Sequence, residues 1–214
     1  MKIIGHFSGG FDSVAACILE LEQGHKVHGQ YIDYGHKYSN REQEAALKIS
    51  EILETKFSNW LGVTTMRSPL WCESSTKVEF YVPVRNLVLV SLSIQTAVAF
   101  GYDAVSVGMR TLKRRPDDPN CFRDASIPFI ALMQAVVNEV CEDGASVELR
   151  MPLVERRGIV DKVQCMRKIQ EYGIDLNLIW NCYGGGPERC GSCLHCKEFE
   201  ENLATLQCEN LGTI

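Results

Sequence analysis

The sequence lacks several features, and each absence removes a class of function. No run of apolar residues approaches the roughly eighteen needed for a transmembrane helix, and nothing is low in complexity or internally repeated. An excess of positive charge is missing too: 22 Lys and Arg stand against 27 Asp and Glu, a formal net charge of -5. No global field therefore draws the chain to nucleic acid or an anionic membrane, and direct nucleic-acid binding is not expected. The opening segment, Met1 to His6, turns polar too soon for a signal peptide, so the expected location is the cytoplasm. Neither common nucleotide motif is present. No Gly-x-Gly-x-x-Gly occurs, and the nearest approach to a Walker loop, Gly24 to Gly29 followed by Gln30, has no lysine.

What is present reads as a globular α/β protein. At 214 residues and 45% hydrophobic content the chain can bury a sizeable core. Apolar runs at 2–7, 27–32, 56–61, 104–107 and 147–150 predict strands. Helical spacing at 13–22, 42–54, 87–100, 127–141 and 159–172 predicts helices between them, with Pro128 tolerated in a first turn. Strands alternating with helices predict a doubly wound, mostly parallel sheet covered on both faces. Residues 110–125 and 181–196 fit neither element and are longer than ordinary connections, which favours function.

Two motifs carry chemistry. Directly after the first strand comes Ser8-Gly9-Gly10-Phe11-Asp12-Ser13, then a helix. Two glycines let the backbone approach a phosphate closely, the helix adds its positive end, and the serines add hydroxyl donors. A carboxylate at Asp12 would repel a bare phosphate, so it points to Mg²⁺ bound between them. The bland alternative is a simple strand-to-helix turn. The second motif is a crowd of thiols: Cys182, Cys190, Cys193 and Cys196 fall within fifteen residues, while the other six cysteines are scattered. Without a secretion signal such a cluster predicts metal or redox chemistry rather than disulfides. Four thiolates suit a closed, structural zinc site, with His195 as an alternative ligand; an iron–sulfur centre or a redox dithiol also uses cysteines two apart. The predicted organisation is an α/β domain carrying the anion loop over 1–176 and a small subdomain with the cysteine cluster and a C-terminal helix over 177–214.

The Ser8 to Ser13 loop after an N-terminal strand resembles the signature of the PP-loop ATP pyrophosphatases, of the adenine nucleotide α-hydrolase type. That resemblance implies cleavage of ATP to AMP and pyrophosphate, with ATP and Mg²⁺ held by Ser8, Gly9, Gly10, Phe11, Asp12 and Ser13. Further segments narrow the family. Tyr34-Gly35-His36-Lys37, Tyr81-Val82-Pro83-Val84-Arg85-Asn86, Ala104 to Gly108, Met151-Pro152-Leu153 and Trp180-Asn181-Cys182-Tyr183 resemble, in order and spacing, segments of the 7-cyano-7-deazaguanine synthases. The resemblance implies a carbon–nitrogen ligase of queuosine biosynthesis. It would join 7-carboxy-7-deazaguanine and ammonia at the expense of ATP, with Asp12, Ser13, Arg85 and Asn86 at the reacting groups and zinc on the four cysteines. Related enzymes are often dimers, so a homodimer is an expectation as well.

Two departures bear on the substrate. Where the family has Tyr-Pro-Asp-Cys-Arg, this chain has Asn120-Cys121-Phe122-Arg123, and after Pro152-Leu153 it has Glu155-Arg156-Arg157 in place of a nearby lysine. They leave open a ligase that passes a similar acid to another amine, including one on a protein. A tRNA-modifying PP-loop enzyme is a further alternative, against which the acidic balance argues. A non-enzymatic zinc-ribbon module is the last, against which the intact loop argues. The basic residues Arg110, Lys113, Arg114 and Arg115 read either as a solvated loop or as contacts to phosphate or substrate, since ligands gather beyond strand ends in open α/β sheets.

Overall fold

The computed structural model describes residues 1–70, 82–109, 123–141, 146–155 and 161–210. In chain order the elements are β1 (Lys2–His6), α1 (Phe11–Glu22), β2 (Lys26–Asp33), α2 (Ser39–Lys56), β3 (Trp60–Arg67), α3 (Arg85–Phe100), β4 (Ala104–Ser106), α4 (Ile127–Val140), β5 (Glu148–Arg150), α5 (Pro152–Glu155), α6 (Lys162–Glu171) and α7 (Leu194–Asn210). Short 3-10 turns lie at Arg123–Ala125 and Leu176–Leu178.

The five strands form one parallel sheet in the order β3-β2-β1-β4-β5. Ile3 of β1 registers with Val27 on one side and Ala104 on the other. The chain therefore builds outward from β1 in one direction and then returns to its other side. That reversal opens a crevice beyond the carboxyl ends of β1 and β4.

Helices cover both faces, as the alternating pattern predicts. One core joins Val14, Ile18, Val27, Ile49 and Leu53 with Met166, Ile169, Phe199 and Leu206. The other joins Ile4, Val105 and Leu149 with Val90, Ile94, Met133 and Val137 of α3 and α4. The region from 177 onward contributes Ile179, Phe199 and Leu206 to the first of these cores. Among the described residues no helix is long and apolar enough to cross a membrane.

Local chemistry sets the helix ends. Ser126 caps α4 by accepting from Phe129 N, with Pro128 in the first turn. Asp161 and Gln164 form a reciprocal capping box, so α6 starts at Lys162 rather than at the expected 159. The largest difference from expectation is β3, predicted over 56–61. Helix α2 continues through Lys56, and the strand is Trp60–Arg67. As an edge strand it is only partly buried, so it has no continuous apolar run to signal it. The register between β2 and β3 also shifts near Gly62, which has φ 83°.

Candidate active site at the β1–β4 crevice

The glycine loop leaves β1 at the fully buried Phe7 and turns into α1. Gly9 has φ 72°, and a Cβ there would lie 2.8 Å from Ala46 N and 3.1 Å from Glu42 O, so the loop rests directly on α2. Gly10 is the N-cap of α1, and no side chain caps this helix end. The two serines brace the loop. Ser13 Oγ donates to Gly10 O at 3.0 Å and lies 3.2 Å from Ser8 Oγ. Beyond β4, a Cβ on Gly108 would sit 2.7 Å from the backbone of Asp12 and Ser13. Only glycine lets the two sides of the crevice approach this closely. Asp12 has a buried carboxylate oxygen, Oδ1. The Phe11 ring turns away into the core, stacked on Phe199 with centroids 5.6 Å apart. What Phe11 can offer a ligand is therefore its backbone. A helix end without a side-chain cap, two glycines and flanking hydroxyls could hold an anion.

A second cluster is assembled from three distant segments. The Arg85 guanidinium donates to Tyr34 Oη at 3.4 Å and to Asn86 Oδ1 at 3.4 Å, and it also bonds Tyr183. The Tyr34 and Tyr38 hydroxyls are 3.5 Å apart, and the Tyr38 ring stacks on Tyr183 at 4.7 Å. Burial pushes Tyr34 up to about 12 and raises Tyr38 and Tyr183 as well, so all three phenols stay neutral. The guanidinium is partly buried, and its partners among the described residues include no carboxylate. A cation withdrawn from water without a counter-ion is costly unless an anion joins it. Asn86 acts on Arg85 by orienting it, while its own backbone N–H donates to Asp124 Oδ2 at 3.2 Å. The residue preceding Arg85, Val84, has φ 51°, in the left-handed region that a β-branched side chain disfavours.

His6, at the end of β1, completes this side. Burial and then the nearby Arg85 charge hold its imidazole down at about 4, so it is neutral near pH 7. The sequence offered no signal for His6, which lies inside an apolar strand and takes its environment from a helix some eighty residues away. His36 was visible only as part of a resemblance. It stacks on Tyr34 at 3.9 Å, and its Nε2 lies 3.0 Å from Glu42 Oε2.

The four cysteines converge as expected. Their sulfurs all lie within 4.8 Å of one another, and four thiolates about 2.3 Å from a tetrahedral zinc would stand about 3.8 Å apart. Thiolates that each hold a different iron of a cluster stand farther apart, so a mononuclear centre fits better. Gly191, at φ 68°, makes the turn between Cys190 and Cys193. Backbone N–H groups of Ser192 and then Cys193 hold Cys190 down at about 6, which favours the thiolate. Asn181 Nδ2 donates to His195 O at 2.6 Å and ties the two ends of the loop together. His195 packs on Tyr183 at 4.1 Å, beside the sulfur cluster rather than within it.

Tyr81, the basic residues 110–115, the divergent stretch up to Phe122, and Arg156 and Arg157 lie outside the described residues. The remaining sequence-predicted groups fall into two places. Ser8 to Ser13 form the glycine loop, which could hold an anion, and Tyr34, Arg85, Asn86 and Tyr183 form the second cluster.

The family model for queuosine biosynthesis protein QueC matches residues 2–207. The 7-cyano-7-deazaguanine synthase 2 of Sulfurisphaera tokodaii is 30% identical over 210 residues, covering 91% of this chain and 44% of that protein. The 7-cyano-7-deazaguanine synthase of Campylobacter hominis is 27% identical over 211 residues, 92% of each chain. The chain thus spans less than half the length of the first relative and nearly all of the second. Among solved structures, a 4-thiouridine synthetase–RNA complex with bound ATP aligns with a TM-score of 0.60 at 14% identity, covering 98% of this chain and 51% of the other. At that identity the likeness is one of fold.

Proposed function

Since the chain belongs to the queuosine biosynthesis protein QueC family, we propose that it is a carbon–nitrogen ligase that uses ATP to convert 7-carboxy-7-deazaguanine and ammonia into 7-cyano-7-deazaguanine. The observation that carries this reading is Arg85, a partly buried cation without a carboxylate partner among the described residues, beside a loop built for phosphate. A planar acid can place its carboxylate on the guanidinium and its ring among Tyr34, Tyr38 and Tyr183.

In this scheme the carboxylate oxygen attacks the α-phosphorus of ATP and pyrophosphate leaves. Ammonia displaces AMP from the acyl adenylate to give the amide. A second ATP activates the amide oxygen, and loss of AMP leaves the nitrile. The chain's contribution is positioning and charge neutralisation. Ser8, Ser13 and the backbone of 9–11 hold phosphate, and Arg85, oriented by Asn86, holds the acid. Asp12 would hold Mg²⁺, which when bound neutralises charge on the phosphates. The sulfur geometry supports zinc on Cys182, Cys190, Cys193 and Cys196 as a structural ion. We also propose that the protein works in the cytoplasm on small molecules, without direct nucleic-acid binding, as a homodimer.

Incubation of the protein with the deazaguanine acid, ATP and ammonium should yield a product of nitrile mass together with AMP. A second reading is favoured by the divergent Asn120 to Arg123 stretch: adenylation of the same acid followed by transfer to a protein amine. It predicts one ATP per product, an amide-linked mass on the acceptor, and no free nitrile.

A further inference from the structure

One buried group in the site has no task in the scheme above. His36 is 7% exposed, with Tyr34 stacked on one side and Tyr38 edge-on at 4.2 Å. Its Nε2 faces Glu42 Oε2 at 3.0 Å. A carboxylate oxygen there accepts, so Nε2 carries the ring proton and Nδ1 keeps its lone pair. That Nδ1 is buried and meets no hydrogen-bond donor among the described residues. A buried acceptor left bare is unfavourable, which points to a donor that arrives with the substrates.

The location suits a donor in the second half-reaction. The helical turn that carries Glu42 rests on the glycine loop, since a Cβ on Gly9 would lie 3.1 Å from Glu42 O. On the other side, the Tyr34 ring that covers His36 presents its hydroxyl to Arg85 at 3.4 Å. The imidazole is thereby linked to the glycine loop through Glu42 and to the guanidinium through Tyr34.

We propose that His36, oriented by Glu42, is the base that accepts a proton from the nitrogen nucleophile. This rests on the adenylation reading given above. In the step, the nitrogen lone pair forms the C–N bond and the acyl carbon–oxygen bond to AMP breaks, its electron pair leaving on AMP. The N–H proton passes to Nδ1, and Glu42 stabilises the imidazolium so formed.

The two half-reactions separate the possibilities. Acid-dependent exchange of pyrophosphate into ATP, measured without ammonium, reports adenylation alone; amide formation on adding ammonium reports the attack. In His36→Gln, exchange should stay within about threefold of the parent, while amide formation should fall about 10²–10³-fold. Glu42→Gln, which keeps an oxygen for the Nε2 proton, should fall about 10-fold in amide formation and little in exchange. Hydroxylamine, largely unprotonated at neutral pH, should restore product in His36→Gln as the hydroxamate. Parallel loss of exchange and attack in the folded variants, or undiminished attack, would overturn the assignment. If His36→Gln does not fold, Glu42→Gln decides by the same split. If the parent protein shows no acid-dependent exchange at all, the adenylation reading itself fails.

Discussion

The glycine loop and the Arg85 cluster lie side by side yet are built on opposite principles. The loop is a single contiguous segment whose working parts are backbone, Gly9 in a left-handed conformation against α2 and Gly10 at an N-cap without a side chain, with Gly108 from beyond β4 pressed on the first turn of α1. The cluster is all side chain, drawn from the end of β2, the start of α3 and the cysteine region. Backbone sites depend on the fold holding its shape. Side-chain sites depend on each group finding partners, and among the described residues Arg85 has no carboxylate partner. The loop can therefore be damaged by a single methyl group, whereas the cluster can lose its charge without loss of structure.

The largest effect should come from the loop. Asp12→Asn removes the charge proposed to hold Mg²⁺ but no core volume, so pyrophosphate release should fall by about 10³-fold or more, with an unchanged melting temperature. A folded variant that turns over normally would remove Asp12 from the mechanism. Next comes removal of metal, which we expect to be one zinc per chain by elemental analysis. Tyr183 directly follows Cys182, so stripping the ion should loosen the Arg85 side first. Acid binding would then weaken at lower chelator concentration than ATP binding, and equal loss of both would erase the contrast.

Arg85→Met sharpens it further. Acid-dependent turnover should drop about 10²-fold, the scale for losing one charged contact in a reacting complex, while stability to urea holds or rises because a partly buried cation without a carboxylate partner among the described residues is gone. A marked loss of stability would mean that the arginine is structural. The smallest effect concerns His6. Its imidazole is held at about 4 in the folded protein, against about 6.5 when unfolded. The unfolded chain thus binds more protons between those values, and stability should fall as pH drops from about 6.5 to 4, by about 2–3 kcal/mol at most. In Arg85→Met the His6 titration, followed by NMR, should move upward, though only partway, since burial is the larger cause.

The same contrast explains what could be read from the sequence. Ser8 to Ser13 and the four cysteines were legible because their chemistry depends on spacing along the chain. The alternation of strands and helices was legible because burial on two faces imposes it. β3 was misplaced because an edge strand with an exposed face carries no strong apolar signal, and the start of α2 was read three residues late because Ser39, Asn40 and Arg41 are polar. The convergence of Tyr34, Arg85 and Tyr183 was available only through resemblance, because no periodicity encodes a contact between segments fifty to a hundred residues apart. His6 and the pairing of His36 with Glu42 left no trace of that kind.

Val84 shows what such a site costs its own fold. A β-branched residue held at φ 51° is strained by about 1–3 kcal/mol. Glycine would relieve that strain, against about 1 kcal/mol of added freedom in the unfolded chain. A screen for heat resistance would therefore tend to select Val84→Gly. The same change would free the hinge from which Arg85 is aimed and widen the angles its guanidinium samples. Position 84 is one where durability and marksmanship pull apart, and the native valine sides with the second.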